Sequence, residues 1–443
     1  MRWAARCATS LLLVLHGFAA EAQLDEVARA ADLRQLQQAL VQRWAYADDK
    51  RQTFGLDLDA LFAAALKENH TLSTPLEFAG LLLRLTAQLH DGHSGVDGPA
   101  LPLPALPTRR WPFTLRDSSD GVLVEPLDAV DRDAAKLSSL RGLRLLRVDG
   151  VALETRLADV ATRLPASTEA SRRKRALAAV TVSARPHHVF VLADAAGRER
   201  ELTLATLPYA PVTTPNVQWR RLPRNVGYLK VRSMLAGPNL AAWLHAAPAQ
   251  QQLWATAAGA DVRTAFAELG HTQALVLDLR GNAGGTDLVG KQVASQLLPA
   301  GFVYYRLSAL LPDGRWSPPL PSVLPAAAAP ANVYQRPVVV LVDEDTFSAA
   351  DNLAACLRDN RPDIRFVGRP TGAGSGAPRP VQLEHSGVRV YFTTMRVFSP
   401  HGYLIESHGV IPDVEVQWSR ADLLANRDPD LDAALRLLAP RLR

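Results

Sequence analysis

The hydrophobic pattern divides the chain into three regions. Between residues 24 and 89, apolar residues recur every three or four positions, which predicts amphipathic helices. Between residues 111 and 205, short alternating runs predict strands with one buried face. From residue 225 onward, an apolar run at 274–279, interrupted by Asp278, and an unbroken one at 338–342 each precede a helical pattern. Such runs are typical of strands buried on both faces, which predicts a layered α/β core.

The last helix of the first region has the clearest boundaries. Thr74 is a predicted N-cap, Pro75 occupies the first turn, and Glu77 completes a capping box. The pattern stops at His90-Asp91-Gly92, where Gly92 is predicted to take the left-handed terminating conformation. His93 follows at once. Since no second pair of ligands has a recognisable spacing, a metal site at these residues is not expected.

The run at 338–342 leads through a turn to Ser348, which opens a helix. A hydroxyl at this junction lies beside free backbone N–H groups and the positive end of the helix dipole. That environment suits a nucleophile whose attack creates an oxyanion. The alternative is structural, because Ser348 and Asp351 also form a capping box, and most serines so placed only cap a helix.

The run at 274–279 leads into a glycine-rich loop at 280–286, with Gly284 and Gly285 in its centre. Glycines allow backbone N–H groups to approach an anion closely. The loop lacks the Lys-Ser/Thr ending of a phosphate loop and does not match a dinucleotide-binding fingerprint. Glycines that follow a strand are also common turn residues, so the loop alone is a weak indication of a site.

Composition narrows the class of protein. The 443 residues are 48% hydrophobic and 21% charged, as in an ordinary globular protein, and the formal net charge is +5. The basic cluster at 172–175 has no interleaved aromatic residues, so we interpret it as a solvated helix face and predict no nucleic-acid binding.

The amino end predicts export. Residues 1–22 have a basic start, a short apolar stretch and a small-x-small cleavage site at Ala20-Glu21-Ala22, as in a signal peptide. Cleavage would leave a periplasmic or extracellular protein without a membrane segment. Cys356 would then be the only cysteine, so no internal disulfide is expected, and it is predicted to be a core residue.

Four prolines between residues 97 and 108 predict a stiff linker. The predicted organisation is a signal peptide at 1–22, a helical domain at 23–97, a strand-rich module at 108–215 and a layered α/β domain at 216–443.

Three motifs, taken together, resemble the C-terminal processing and tricorn-core family of serine peptidases. They are Val-Leu-Asp-Leu-Arg-Gly-Asn-Ala-Gly-Gly at 276–285, the segment from Val340 to Asp351, and the pair formed by residues 367–372 and 409–414. The resemblance covers roughly residues 216–443 and implies a crotonase-like catalytic core. The preceding module is similar to a PDZ-like module, most clearly at 140–150.

The resemblance also implies site residues. Members with a Ser-Lys dyad have a lysine in the loop at 372–376, and none is present here. The tricorn-like branch instead uses a histidine and a glutamate, and His93 and Glu406 stand at the matching positions. Ser348 would be the nucleophile, His93 the general base and Glu406 the group that orients the imidazole.

The resemblance further implies that Ala349 and either Gly284 or Gly285 donate N–H groups to the oxyanion. The tricorn peptidase has a serine ahead of its histidine, where Gly92 stands here.

The sequence therefore predicts an exported serine endopeptidase that acts on peptides or unfolded proteins and needs no cofactor or metal. The alternative is a binding protein, because non-enzymatic relatives use the same core to hold hydrophobic ligands. Labelling by a fluorophosphonate probe distinguishes the two.

Overall fold

A computed structural model describes residues 24–98, 108–127, 134–208, 215–235, 237, 246–324 and 333–442. The predicted signal peptide and nearly all of the proline-rich linker lie outside these residues. Within them, no helix has the combination of length and apolar character needed to cross a membrane.

The first described region is helical, as predicted. It contains α1 (Glu26–Arg43), α2 (Ala47–Phe54), α3 (Leu58–Asn69) and α4 (Pro75–Gln88). We call residues 24–89 the helical segment. The predicted capping box is confirmed, because Thr74 Oγ1 accepts the Glu77 N–H while Glu77 Oε2 accepts the Thr74 N–H.

The predicted end of α4 is wrong in one respect. His90, with a φ of 52°, takes the left-handed conformation, and Gly92 does not. Gly92 is needed for another reason: a Cβ atom there would lie 2.7 Å from the Phe347 ring and 2.9 Å from Ser167 Oγ. The glycine therefore permits close packing of the chain just before His93.

The strand-rich region that we call the middle module spans residues 108–208, after the short strand β1 (Gly95–Asp97). Its strands are β2 (Arg109–Arg110), β3 (Phe113–Ser118), β4 (Gly121–Pro126), β5 (Arg144–Val148), β6 (Val151–Ala152), β7 (Val182–Ser183), β8 (His187–Ala193), β9 (Glu199–Ala205) and β10 (Leu207–Pro208). Its helices are α5 (Ala134–Ser138), α6 (Leu153–Ala161) and α7 (Glu169–Ala179). The main sheet has the antiparallel order β3-β4-β5-β8-β9, which leaves β3 at an edge beside α7.

The basic cluster at 172–175 lies on α7, and the predicted solvated face is wrong for two of its members. Arg172 is buried and donates a 3.0 Å hydrogen bond to the carbonyl oxygen of Ala87, near the end of α4. Arg175 donates to the carbonyl oxygen of Gly92. These bonds satisfy carbonyls near the end of a helix, and they fasten the middle module to the loop that carries His93.

The third region has a six-stranded central sheet in the order β11-β12-β13-β16-β17-β21, parallel except for the antiparallel pair β11-β12. The strands of this region are β11 (Val217–Leu222), β12 (Val226–Val231), β13 (Ala274–Asp278), β14 (Val303–Ala309), β15 (Leu320–Val323), β16 (Val338–Val342), β17 (Arg365–Gly368), β18 (Pro378–Gln382), β19 (Arg389–Thr393), β20 (Met395–Phe398) and β21 (Val414–Glu415). The helices are α8 (Pro248–Leu269), α9 (Asp287–Leu297), α10 (Ala349–Asn360), α11 (Arg420–Leu424) and α12 (Pro429–Leu438).

Both apolar runs form strands buried on each face, as predicted. On β13 and β16, Leu277 and Val340 pack with α8, α9 and α10, whereas Val276 and Leu341 pack with α12. Alternate residues of a strand point to opposite sides, so each run fills two cores. Cys356 lies fully buried on α10. The layered, mixed α/β architecture is confirmed.

The helical segment does not have a core of its own. Residues of the hairpin β18–β19, including Val390 and Phe392, are buried together with Leu36 and Phe78 of the helices. β1 also pairs with β19. The helices are therefore fixed to a hairpin that follows directly on the loop at 372–376.

Arg280 is expected to be important for stability, because it binds two fully buried carboxylates, those of Asp278 and Asp430. Its charge and hydrogen bonds hold the pKa of Asp278 down at about 2 against the opposing effect of burial. Arg280→Met removes that partner, so we expect a loss of roughly 3 kcal/mol in the free energy of unfolding, measured by urea denaturation.

A matched control is Arg315→Met, which breaks an exposed pair with Asp313. The control should cost less than about 1 kcal/mol. Equal losses in the two variants would contradict the importance of the buried network.

Candidate active site

Ser348 lies at the turn between β16 and α10 in a strained backbone conformation. Its φ is 59° and its ψ is −122°, a region that L-residues rarely occupy. The side chain makes no capping hydrogen bond. Asp351 instead accepts the Gly374 N–H at 3.0 Å, while the Ser348 N–H donates to the Gly374 carbonyl oxygen. The capping alternative is therefore wrong, and the hydroxyl is free for another partner.

That partner is His93, 255 residues earlier in the chain. His93 Nε2 lies 2.9 Å from Ser348 Oγ. The backbone N–H of His93 donates to Asp91 Oδ1, and Trp44 Nε1 and the Thr393 N–H both donate to Asp91 Oδ2. The buried Asp91 carboxylate therefore anchors the His93 loop to the helical segment and to β19.

The surroundings of His93 favour its neutral form. Burial lowers the pKa of His93 to about 4, the charge of Asp91 opposes this shift, and Arg175 adds to it. The imidazole is therefore unprotonated at neutral pH. Its Nδ1 atom is buried and has no hydrogen-bond partner among the described residues.

Glu406 is fully buried close to this imidazole. One ring nitrogen of His93 and one carboxylate oxygen from each of Asp91 and Glu406 lie within 4.8 Å of one another. Within the described ranges, Glu406 does not bond directly to His93. Its Oε1 atom accepts from Lys50 Nζ at 2.7 Å, and its Oε2 atom accepts the Ser375 N–H at 3.1 Å. Burial raises the pKa of Glu406 to about 7, and Lys50 opposes this rise.

The glycine loop packs directly against Ser348. A Cβ atom on Gly284 would lie 2.6 Å from Ser348 Cβ and 2.6 Å from the Phe347 carbonyl oxygen, so only glycine fits there. The Gly284 N–H donates to Asn282 Oδ1. The N–H groups of Gly285 and Ala349 donate no hydrogen bond within the described residues. Of the three predicted oxyanion donors, these two are therefore available.

The middle module contributes two residues that sequence reasoning did not identify. Ser167 is fully buried; its hydroxyl accepts the Gly92 N–H at 3.0 Å and bonds to Glu406, where it lowers the pKa of the carboxyl. Arg175 stacks 4.6 Å from the centre of the Phe347 ring, and that ring lies 4.6 Å from the His93 ring. The sequence carries no signal for Ser167, because a lone serine in a loop has no periodicity or motif.

The carboxylates around His93 are already engaged by donors. Asp91 accepts at both oxygens from Trp44, His93 and Thr393, and Glu406 accepts the Lys50 ammonium. A metal ion would have to displace these donors and lie beside a buried positive charge. The surroundings of the Asp91 and Glu406 carboxylates therefore do not favour the binding of a metal ion.

Comparison with known proteins matches part of the chain to a described family. Residues 225–416 match the model described as Peptidase family S41. A carboxyl-terminal-processing protease of Synechocystis sp. is 29% identical over 166 residues, covering 37% of this chain and 36% of that protein. The chloroplastic C-terminal processing peptidase of Tetradesmus obliquus is 31% identical over 191 residues, covering 41% and 37%. The chain thus spans little more than a third of the length of these two relatives.

Solved structures share the fold at low identity. Mature CPAF complexed with lactacystin superposes with a TM-score of 0.72 at 18% identity, covering 94% of this chain and 99% of that one. The photosystem II D1 C-terminal processing protease gives a TM-score of 0.51 at 20% identity, with coverages of 94% and 99%. These likenesses support the mixed α/β fold.

The strain at Ser348 can be measured. Ser348→Gly and Ser348→Ala both remove the hydroxyl, but only glycine relieves a positive φ. We expect the glycine variant to be about 1 kcal/mol more stable than the alanine variant in urea denaturation. An alanine variant at least as stable as the glycine variant would contradict a strained backbone at this position.

Proposed function

Residues 225–416 form a Peptidase family S41 domain, and we propose that the chain is a serine endopeptidase that forms an acyl-enzyme on Ser348. The observation that carries the proposal is the 2.9 Å contact between His93 Nε2 and Ser348 Oγ at a strained strand-to-helix turn. A nucleophile and a neutral base within hydrogen-bond reach are the minimum that acyl transfer needs.

Acylation follows from this geometry. Ser348 Oγ attacks the carbonyl carbon of the scissile peptide bond while its proton passes to His93 Nε2. The carbonyl oxygen becomes an oxyanion that accepts hydrogen bonds from the free N–H groups of Gly285 and Ala349. When the tetrahedral intermediate collapses, the C–N bond breaks, and the leaving amine takes the proton from His93.

Deacylation repeats these steps with water as the nucleophile. His93 Nε2 takes a proton from the water as its oxygen attacks the acyl carbon. Collapse of the second intermediate breaks the ester bond to Ser348 Oγ, and the proton returns to that oxygen. The product is a new carboxyl terminus, and the enzyme is restored without a cofactor.

The charge on Glu406 is what stabilises the imidazolium in this scheme. Opposite charges about 5 Å apart attract by roughly 3 kcal/mol at an effective dielectric constant near 20. Such a stabilisation corresponds to roughly a hundredfold in rate. Asp91 adds a second negative charge close to the ring. We therefore propose a Ser348-His93-Glu406 triad in which the glutamate acts through its charge.

A cleft beside the middle module suits an extended peptide. It has a volume of about 580 Å³ and lies between the edge strand β3 and α7, with Phe113, Leu115 and Leu177 among its lining residues. Arg175 and Asp345 line it as well. An extended chain could add to the free edge of β3, as peptides do in β-strand addition. We propose that this cleft guides the substrate chain towards Ser348.

The finer assignments are part of the same proposal. We regard the catalytic core as crotonase-like and the middle module as PDZ-like, with domains at 23–97, 108–215 and 216–443 behind a signal peptide at 1–22. The substrate is a peptide or an unfolded protein, and the site of action is periplasmic or extracellular.

Labelling with a fluorophosphonate probe tests the nucleophile. Wild-type protein should be labelled on Ser348 and should cleave an unstructured peptide, because the probe requires an activated serine. Ser348→Ala should abolish both labelling and cleavage. Unchanged cleavage by this variant would rule out the proposed site, and absence of both properties in the wild type would favour a binding protein.

The chain contains a matched control for this experiment. Ser183 Oγ lies 2.8 Å from His188 Nε2, and His188 Nδ1 lies 2.7 Å from Asp149 Oδ2. This row resembles a triad but lies in the middle module, away from the glycine loop. Ser183→Ala should keep wild-type labelling and cleavage; loss of labelling in this variant would move the nucleophile there.

The dependence of rate on pH tests the charge on Glu406. Since His93 has a pKa near 4, it is already neutral above pH 5, whereas Glu406, with a pKa near 7, loses its charge as the pH falls. The kcat of the wild type should therefore fall as the pH decreases through about 7. Glu406→Gln should be slower by about a hundredfold at pH 8 and should lack this decrease. A decrease near pH 7 that persists in Glu406→Gln would show that another group titrates.

A further inference from the structure

The helical segment inserts a buried lysine beside Glu406. Lys50 lies on α2, and its side chain is 0% exposed. Its Nζ atom donates to Glu406 Oε1 at 2.7 Å and to Ser407 Oγ at 2.6 Å. Asp49 is a more distant partner, with 3.7 Å between Nζ and Oδ2. Fully buried lysines are rare unless they are paired, so this contact has a specific partner in Glu406.

The other bonds to Glu406 also favour its charged form. The Ser375 N–H and the Ser167 hydroxyl both donate to the carboxylate. These donors come from the loop at 372–376 and from the middle module, and neither carries a charge. Among the described residues, Lys50 is the cation in direct contact with this carboxylate, so it compensates the buried negative charge.

Because Glu406 lies close to His93, the charge state that Lys50 gives Glu406 affects the chemistry of the imidazole. His93 Nδ1 is buried without a partner among the described residues. One ring nitrogen of His93 lies within 4.8 Å of a carboxylate oxygen of Glu406. When His93 takes up the Ser348 proton, the new imidazolium needs a negative charge nearby. A neutral Glu406 could not supply it.

We propose that Lys50 is a positioning residue for the hydrolysis proposed above: its ammonium ion keeps the Glu406 carboxylate charged and fixed beside His93. The inference rests on the proposed function. It follows that the helical segment supplies part of the active site, although it lies outside residues 216–443, where the family resemblance is found.

Several other ionisable groups face Glu406. They are Tyr46 and Asp49 from the α2 region, Asp91 and His93 after α4, Arg175 on α7 and Asp351 on α10. Of these groups, Asp91 raises the pKa of Glu406 further through its negative charge. Arg175 is the other cation near this carboxylate, and it is engaged by the carbonyl oxygens of Gly92 and Pro165.

Lys50→Met tests the proposal, because methionine has a similar length and no charge. We expect kcat at pH 8 to fall about a hundredfold with little change in KM. The acid-side decrease in kcat should move to higher pH by about three units, since a hundredfold loss at pH 8 requires Glu406 to be almost fully protonated there. A purely structural lysine would lower the stability without moving this pH dependence, and that outcome overturns the proposal.

Lys230→Met is the matched control. Lys230 pairs with the buried Asp278 at 3.3 Å and makes no hydrogen bond or ion pair with Glu406 among the described residues, so its removal should cost stability without removing the charge that compensates Glu406. The pH dependence of this variant should remain that of the wild type. A shift equal to that of Lys50→Met would overturn a specific effect of Lys50.

A second measurement does not depend on catalysis. Infrared difference spectra against the Lys50→Met/Glu406→Gln double variant report whether the Glu406 carboxyl is protonated. At pH 8 we expect the wild type to be ionised and Lys50→Met to be protonated. A carboxyl that is still ionised in Lys50→Met overturns the proposal whether or not the chain is a peptidase. Failure of the wild type to label or cleave would instead count against the proposed function.

If Lys50→Met does not fold, the Lys50→Met/Glu406→Gln double variant tests the proposal instead. Replacing both members of a buried pair removes the uncompensated charge, so the double variant should regain a cooperative unfolding transition. Failure to regain it would show that Lys50 is required for packing alone, which overturns the proposal.

Discussion

The negative charge of a buried carboxylate must be compensated by opposite charge and hydrogen bonds. This requirement determines which residues surround Glu406 and Asp91. Taking an ion out of water costs several kcal/mol unless opposite charge and hydrogen bonds replace the solvent. Glu406 receives them from Lys50, Ser375 and Ser167, which belong to three different regions of the chain. Asp91 receives its bonds from Trp44 and Thr393 in the same manner. The site can therefore exist only when all three regions have assembled around it.

Strain at Ser348 is the second feature that the surrounding structure maintains. A positive φ at a non-glycine residue costs about 1–3 kcal/mol, so the neighbouring contacts must hold it in place. The Ser348 N–H is fixed by the carbonyl oxygen of Gly374, and the close approach of Gly284 leaves no space for the turn to relax. The result is a hydroxyl directed at His93 rather than at its own helix.

The middle module reaches the site through its helix α7. Arg175 contacts Phe347, whose ring packs against His93, and it also lines the cleft beside β3. A ligand in that cleft would therefore be separated from the base by two side chains. This packing gives a physical route by which the cleft and the chemistry could be coupled, although the two belong to distant parts of the sequence.

The sequence by itself predicted the layered core, and its resemblance to a peptidase family pointed to Ser348, His93 and Glu406. Two short, predominantly apolar runs followed by helical patterns favour strands buried on both faces, and the motifs carry the resemblance that pointed to the three residues. The tertiary structure decided what surrounds them. It assigned the left-handed turn to His90, directed the Ser348 side chain away from capping, and brought Lys50 and Ser167 to Glu406. Those contacts join residues up to 356 positions apart, and local patterning carries no information about pairs so distant in the chain.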